Sequence, residues 1–456
     1  MGVTNTATSA LSNLLSNGGI GTGLNVQQLV SQQLQADSGP LVLLQNEQTQ
    51  FSAQTSALNT LSADLLTLQG TVQNLTSFTG ALSSEQATSS DNSILTATAT
   101  TTAQQAVHNI VVKSLATTAS YYTNPATLPA SGSTPLATGG SFTVNAGSHS
   151  ATITIDSTNN TLQGLATAIN NSAVGGAVTA SVIQDSSGAR LTVVSNTSGA
   201  PGDFTITDTG NSTGLSFTKP VSGVNASLVV DGVPVSSATN TVTGVIPGVT
   251  LNLNGANPNE TVTLGVQPDT AAATSAINQF VVTYNQVVSD LNAQFAVNPA
   301  TGSAGILSSD STLSLIQDQL FTAINFSGSG TIPNLSSLGL NLQNDGTIQV
   351  DSATLANTLQ SNFSAVQSFF QSTSAGVGQA LTSALSTAAD PTQGPLALDL
   401  QGISQQQQDI AKRVSDLQYN LSIEQQNLVT KYSQVNVILE QLPALQQQIS
   451  QQLAGA

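Results

Sequence analysis

Two stretches of the chain repeat their apolar residues every seven positions. At the C-terminal end one column reads Val414, Leu421, Leu428, Val435, Leu442 and Ile449, and a second reads Ile403, Ile410, Leu417, Glu424, Lys431, Ile438 and Leu445. Two such columns place a narrow apolar seam on one side of a helix, with Gln, Ser and Asn covering the rest. Near the N-terminus Leu44, Phe51, Leu58, Leu65 and Val72 form one column, and Leu61, Leu68, Leu75 and Leu82 the other. A seam this narrow cannot be the interior of a domain, so each helix needs a partner.

Between the seams the period falls to two. Leu95, Ala97 and Ala99, then Val107, Ile110, Val112 and Leu115, predict strands. Tyr121 to Gly140 is rich in Pro, Gly and Ser and reads as a connector. Strands are expected at 141–144, 151–155, 178–184, 190–195 and 204–207, with a helix at 162–170. Further strands follow at 226–230, 233–235, 241–245, 249–253 and 261–266, with turns at Asp185-Ser186-Ser187-Gly188, Asp231-Gly232 and Pro247-Gly248. After Pro268-Asp269 the pattern returns to helix, with Ile277, Phe280, Val281, Tyr284, Val287, Val288 and Leu291 on one face. Shorter helices are expected at 311–324, 352–357 and 363–370, a hairpin over Leu340–Val350 turns at Asn344-Asp345-Gly346, and 390–395 is a linker.

The expected fold class is therefore α+β and multidomain: paired terminal α-helices, a coiled-coil-like stalk, carrying nested antiparallel β-rich head domains. Residues 1–40 form a terminal segment disordered until assembled, and 41–90 the N-terminal stalk helix. A β domain of 91–135 and 221–268 holds an inserted outer β-rich domain, 136–220. Residues 269–430 are the helical stalk domain and 431–456 the terminal helix. This nesting predicts β units at one end of an elongated molecule and both termini at the other.

Composition narrows the function. Charged residues make up only 6% of the chain, against about a quarter in ordinary proteins, so neutral polar groups must solubilise it. A net charge of −17 from 6 basic and 23 acidic residues opposes nucleic acid and anionic lipid. With no cysteine there is no disulfide, thiolate nucleophile or thiolate metal site. Met1 to Gly18 lacks the basic start and apolar core of a cleavable signal peptide. No run of about 18–20 apolar residues exists to span a membrane. His108 and His149 sit in strand-like stretches without the spaced partners of a metal set, and Asp231-Gly232 and Asp345-Gly346 read as turns. The glycines at 18–23 follow no strand and precede no GK[ST], so they do not make a phosphate loop. No catalytic, cofactor-binding or metal-binding residues are assigned.

With these residues in view the chain resembles the bacterial flagellar filament capping protein family, also called hook-associated protein 2. The resemblance rests on Gly19-Ile20-Gly21-Thr22-Gly23-Leu24-Asn25-Val26 with Leu29-Val30 and Pro40-Leu41, and on Val266-Gln267-Pro268-Asp269 followed by Ile277 through Asn285. Gly305 to Ser311, Leu338-Gly339-Leu340 and Asn344 to Asp351 are similar to further blocks. Thr161 to Asn170, with Ala180 to Leu191, is similar to a motif of flagellins and hook proteins. Asn25 stands where Asp is usual, and Pro443 interrupts the last helix, where it should kink or end it.

The resemblance implies a non-enzymatic, secreted cap at the distal tip of the flagellum that guides insertion of exported flagellin and prevents its loss. It also implies a homo-oligomer, a pentamer being the expectation, with flagellin, the export machinery and a chaperone as partners. Another axial protein, flagellin or a hook–filament junction protein, is the near alternative, and a β-rich surface adhesin the distant one.

The residues expected at the assembly interface are Leu24, Val26, Leu29, Val30, Leu34, Val414, Leu417, Leu421, Leu428, Val435, Ile438, Leu442 and Ile449. For 44–75 with 403–428, packing within one chain competes with packing between chains. For 20–37 and 435–453 it does not. Burying one Leu gains about 1.5–3 kcal/mol, while ordering each residue costs about 1–2 kcal/mol of backbone entropy. These ends are therefore expected to become helical only when neighbouring subunits cover them.

Overall fold

The computed structural model describes residues 25–454, apart from 125–127, 209–213, 298, 301 and 374–375. The chain divides into a helical unit, Met1–Thr76 with Ala276–Thr358 and Ser364–Ala456, and a β unit, Ser77–Ser275 with Leu359–Phe363. Among the described residues no helix is long and apolar enough to cross a membrane.

The helical unit opens with α1 (Val26–Asp37) and α2 (Gly39–Thr76). The apolar column residues on α2 are all buried except Phe51, which is half-buried; the helix stops at Thr76, so Leu82, also buried, falls beyond it in a 3-10 turn and not on the expected seam. A chain poor in charge still has to satisfy the polar face of so long a helix. Thr49, Ser52, Thr55, Thr60 and Thr67 each turn the hydroxyl back onto the carbonyl four residues earlier.

The β unit runs β1 (Glu85–Ser89), β2 (Leu95–Ala99), β3 (Ala106–Ser114), β4 (Thr118–Thr123), β5 (Ser141–Ala146), β6 (His149–Thr154) and α3 (Leu162–Asn170). It continues with β7 (Val178–Asp185), β8 (Gly188–Ser198), β9 (Phe204–Asp208) and β10 (Phe217–Val221), and closes with β11 (Ala226–Val230), β12 (Val233–Ser237), β13 (Thr241–Thr243), β14 (Val249–Leu253) and β15 (Val262–Pro268). One core lies between the antiparallel sheets β1-β15-β3-β11-β12 and β13-β14-β2. Ile110, Val112, Leu228, Val262 and Leu264 meet Leu95, Val242, Leu251 and Leu253 there. A second core is built on the sheets β10-β4-β8-β7 and β6-β5-β9, with Leu162, Leu165 and Ile169 of α3 filling it.

Three strands depart from the expectation. β1 lies inside the 41–90 stretch read as stalk helix; that helix ends at Thr76, before Gly80, and pairing with β15 fixes Glu85–Ser89 as a strand. β4 was hidden by the Pro/Gly/Ser density that follows it. Its Ala119, Tyr121 and Thr123 alternate inward and it pairs with β8 and β10, so it joins the second core and not the 91–135 β segment. β10 lies where a loop was expected. In β3 only Ile110 and Val112 point inward. Val107 is exposed, on the opposite parity.

The helical unit resumes with α4 (Thr270–Phe295), α5 (Ser311–Ile324), the hairpin β16 (Leu340–Leu342) and β17 (Ile348–Val350), α6 (Ser352–Ser361), α7 (Phe363–Gln371), α8 (Val377–Ala388) and α9 (Pro395–Ala454). All seven predicted inward residues of α4 are buried. Helix α8 was missed because its Ala, Ser and Thr give little contrast, yet Val377, Leu381 and Leu385 are fully buried. Helix α9 does not end at Pro443. It continues to Ala454, although the proline leaves the Leu439 carbonyl without its helical donor.

Candidate assembly surface

Helix α1 starts at an Asn25 cap, whose Oδ1 accepts the Gln28 N–H at 3.0 Å. Asn and Asp cap a helix about equally well, so the replacement of the usual Asp keeps the geometry. Val26 and Val30 are buried against Leu428 and Val429 of α9, with Leu34 and Tyr432 packed on the same cluster. Leu29 is half-buried.

Further along, Gln407 Nε2 donates to Thr55 Oγ1 at 3.2 Å. Earlier residues of α1–α2 thus meet later residues of α9, which makes the pairing antiparallel. Ile410 and Leu428 of α9 are buried, while Val414, Leu417 and Leu421 are half-buried.

This pairing changes the expectation for residues 26–37. They need no neighbouring subunit for a partner, because α9 of the same chain supplies one. Val26, Val30 and Leu428 are consumed inside the chain and cannot also face another. Val429 and Tyr432, absent from both heptad columns, are the contacts sequence reasoning missed; the signal is that they lie one and four residues after Leu428, which widens the apolar stripe there. Leu24 lies outside the described residues.

Beyond Tyr432 the helix changes character. Val435, Ile438, Leu442, Leu445 and Ile449, spaced three and four apart, are 41–61% exposed. Because these five side chains are only about half exposed, covering them would gain on the order of 4–8 kcal/mol before association costs. Asn436, buried and bonded to Glu440 at 3.2 Å, is the polar exception on this stretch.

Several charged groups find partners locally, whereas Glu85 Oε2, Gln319 Oε1 and Asp399 Oδ2 are buried without one. His108 Nδ1 lies 2.7 Å from Asp231 Oδ2, and Asp231 Oδ1 accepts the Asn109 N–H at 2.8 Å. Those two bonds hold the Asp231 carboxyl below its usual range and pin the β11–β12 turn, where Asp231 has φ of 50°. Lys219 Nζ lies 2.6 Å from Asp203, donates to the Phe204 carbonyl and sits over the Tyr121 ring. Burial opposes ionisation of Asp203, but Lys219 and the Gly223 N–H outweigh it and keep that carboxyl low. Arg190 covers Tyr122 and donates to the Thr123 carbonyl and Asn124.

A cavity of about 400 Å³ between α4, α5 and the β16–β17 turn is lined by Tyr284, Leu291, Gln317, Asp318, Phe321 and Asp345 among others. Burial pushes the Tyr284 hydroxyl up, away from ionisation. Among the described residues no group of three or more His, Cys, Asp or Glu could hold a metal ion.

Comparison with known proteins agrees with this arrangement. Residues 22–119 match the N-terminal part, and residues 223–444 the C-terminal part, of flagellar hook-associated protein 2. The B-type flagellar hook-associated protein 2 of Pseudomonas aeruginosa is 28% identical over 81% of this chain and 83% of its own length. Flagellar hook-associated protein 2 of Escherichia coli K12 is 28% identical over 95% of this chain and 97% of its own. The crystal structure of the D1-D2-D3 domains of the flagellar cap protein FliD from Escherichia coli is similar with a TM-score of 0.57 and 27% identity, covering 76% of this chain and 99% of that one. Two family segments in order along the chain, a matching solved fold and terminal helices paired antiparallel lead to one conclusion. The chain belongs to the flagellar hook-associated protein 2 family.

Proposed function

We propose that the exposed row Val435, Ile438, Leu442 and Ile449 is the surface through which this chain works as a cap. The family is that of the flagellar filament cap, a structural protein at the distal tip of the filament, outside the cell. The chain is read accordingly as a cap that promotes insertion of exported flagellin and prevents its loss. The observation that carries the assignment of the surface is the switch along α9 from buried and half-buried seam residues before Tyr432 to exposed ones after it.

A seam left open on a helix already anchored by its first half is suited to pair with like seams. Its partners in this reading are further copies of the chain, in a closed ring whose expected number is five, and flagellin. Before export a chaperone would cover the same row. Pro443 weakens the helix where the row lies, so contacts there can form and release as the filament grows.

Leu442→Asp combined with Ile449→Asp, introduced in cells lacking the natural gene, tests this. The expected result is a chain with unchanged circular dichroism and thermal unfolding, no filaments, and unpolymerised flagellin in the medium. Tyr419→Asp, an exposed change outside the row, should leave filaments intact. Normal filament growth with the double variant refutes the assignment.

A further inference from the structure

Among the described residues of α9, Asn436 is the polar side chain that is buried. It is 2% exposed, while Val435 and Val437 on either side are 41% and 52% exposed. Its amide donates to Glu440 Oε1 at 3.2 Å. Val429 lies seven residues before it and Tyr432 four, so the three share one face of the helix. That face packs on α1, where Leu428, Val429 and Tyr432 cluster with Val26, Val30 and Leu34. Asn436 therefore stands where the seam calls for its next apolar residue.

A helix on a heptad seam can slide by one repeat whenever the shifted set of side chains is as apolar as the native set. Moved one heptad toward the start of α9, α1 meets Leu421, Ser422 and Gln425 in place of Leu428, Val429 and Tyr432. Two of these three are polar, so that register is poor. Moved one heptad the other way, α1 meets Val435, Asn436 and Leu439. Two of these are apolar, and Asn436 alone marks the register as wrong. The side chains of Val26 and Val30 give its amide neither donor nor acceptor in place of water. Connectivity does not forbid the move, because α1 ends at the Ser38 cap and α2 starts anew at Gly39. A slip of one heptad is about 10 Å along the axis. Unwinding about six residues around that break supplies it, since each gains about 1.8 Å on passing from helix to extended chain.

We propose that Asn436 is the register-setting residue of the α1–α9 pair: it holds α1 at Leu428 and Val429 by making the next heptad of α9 unsuitable. The register matters for the rest of the helix. In the outward register Val435 takes the place of Leu428, and the exposed row loses its first member to the inside of the chain. Asn436 thus keeps the seam used within the chain apart from the row left open on α9. The assignment holds whatever partner that row receives, because Asn436 acts on the other face of the helix.

The natural chain has no cysteine, so a nitroxide pair can be placed cleanly at Gln32→Cys on α1 and Ser415→Cys on α9, both exposed. The full labelled chain, diluted into excess unlabelled chain, reports the register within one molecule. With Asn436 in place the distance distribution should hold one narrow population. Asn436→Leu should add a second population longer by about 8–10 Å, the length of one heptad. Asn436→Ala, which removes the amide without adding bulk, should add it too, and so keeps the test open if the leucine variant folds poorly. Asn436→Gln, which retains an amide, should restore the single population. One unshifted distance in both the leucine and the alanine variant overturns the proposal. A lowered Tm with that unshifted distance overturns it as well, since it marks Asn436 as a packing residue without influence on register.

Discussion

Thr71 on α2 and Thr283 on α4 face each other with their hydroxyl oxygens 3.0 Å apart, and each hydroxyl also bonds its own helix. Thr71 reaches the Leu68 carbonyl at 2.8 Å; Thr283 reaches those of Gln279 and Phe280 at 3.1 and 3.0 Å. Each hydroxyl thus keeps a partner when the other is removed. Thr283→Val should cost about 1 kcal/mol or less. In a double-mutant cycle with Thr71→Val, the costs should fail to add by at least about 0.5 kcal/mol. Urea unfolding of the four chains measures the coupling.

Fold and assembly should separate along the apolar seams. Leu65 is fully buried, and Leu65→Ala should destabilise the isolated chain by about 2–5 kcal/mol through lost burial and a cavity. Leu442 is 44% exposed, and Leu442→Ala should change the same quantity by no more than about 0.5 kcal/mol. Chemical denaturation of both variants at a concentration that keeps the chain monomeric decides this.

Two glycines with nearly equal torsions should differ in sensitivity. Gly244 has φ of 76° and open space where a Cβ would sit, so Gly244→Ala should cost about 1 kcal/mol from the left-handed backbone alone. Gly248 has φ of 75°, and a Cβ there would lie 2.6 Å from the Ala103 backbone nitrogen. Gly248→Ala should cost clearly more, because β14 must move away from the Ala103 loop. Tm values of the two variants give the order.

Acid should loosen the turns that are held by ionised carboxylates. Asp91, Asp156 and Asp345 each accept the hydroxyl and the N–H of the Ser or Thr two residues on, at 2.6–3.0 Å. Those bonds hold the three carboxyls below the usual range. A depressed folded-state value means that the contribution is present above about pH 4, and it fades as pH falls below that. Asp156→Asn should lower Tm at pH 7, and the difference from the natural chain should vanish by about pH 2.5. Thermal melts across that range provide the check.

Much of the architecture was legible because its elements are strongly periodic. The heptads at 44–82 and 403–445 predicted two long helices, alternation predicted most of the strands, and α3 and α5 fall within the residues expected of them. In these segments the residues that must be buried recur at the period of one structure only. Where periodicity was weak, the local signal failed. Glu85–Ser89 is short and mostly polar, Thr118–Thr123 leads into a Pro-rich stretch, and Val377–Ala388 is too rich in small residues to contrast with its surroundings.

The sequence alone determined that the chain has two apolar seams, that β structure lies between them, and that its charge and lack of cysteine leave few routes to chemistry. Only the tertiary structure decided how each seam is used. A heptad column says that a side chain needs cover, but not whether the cover comes from the same chain, and that depends on which helix lies alongside in space. Leu428 and Ile438 belong to the same pattern, yet the first is buried on α1 and the second is exposed. The Thr71–Thr283 contact was likewise invisible, since its partners are over two hundred residues apart and meet only once α2 and α4 lie side by side.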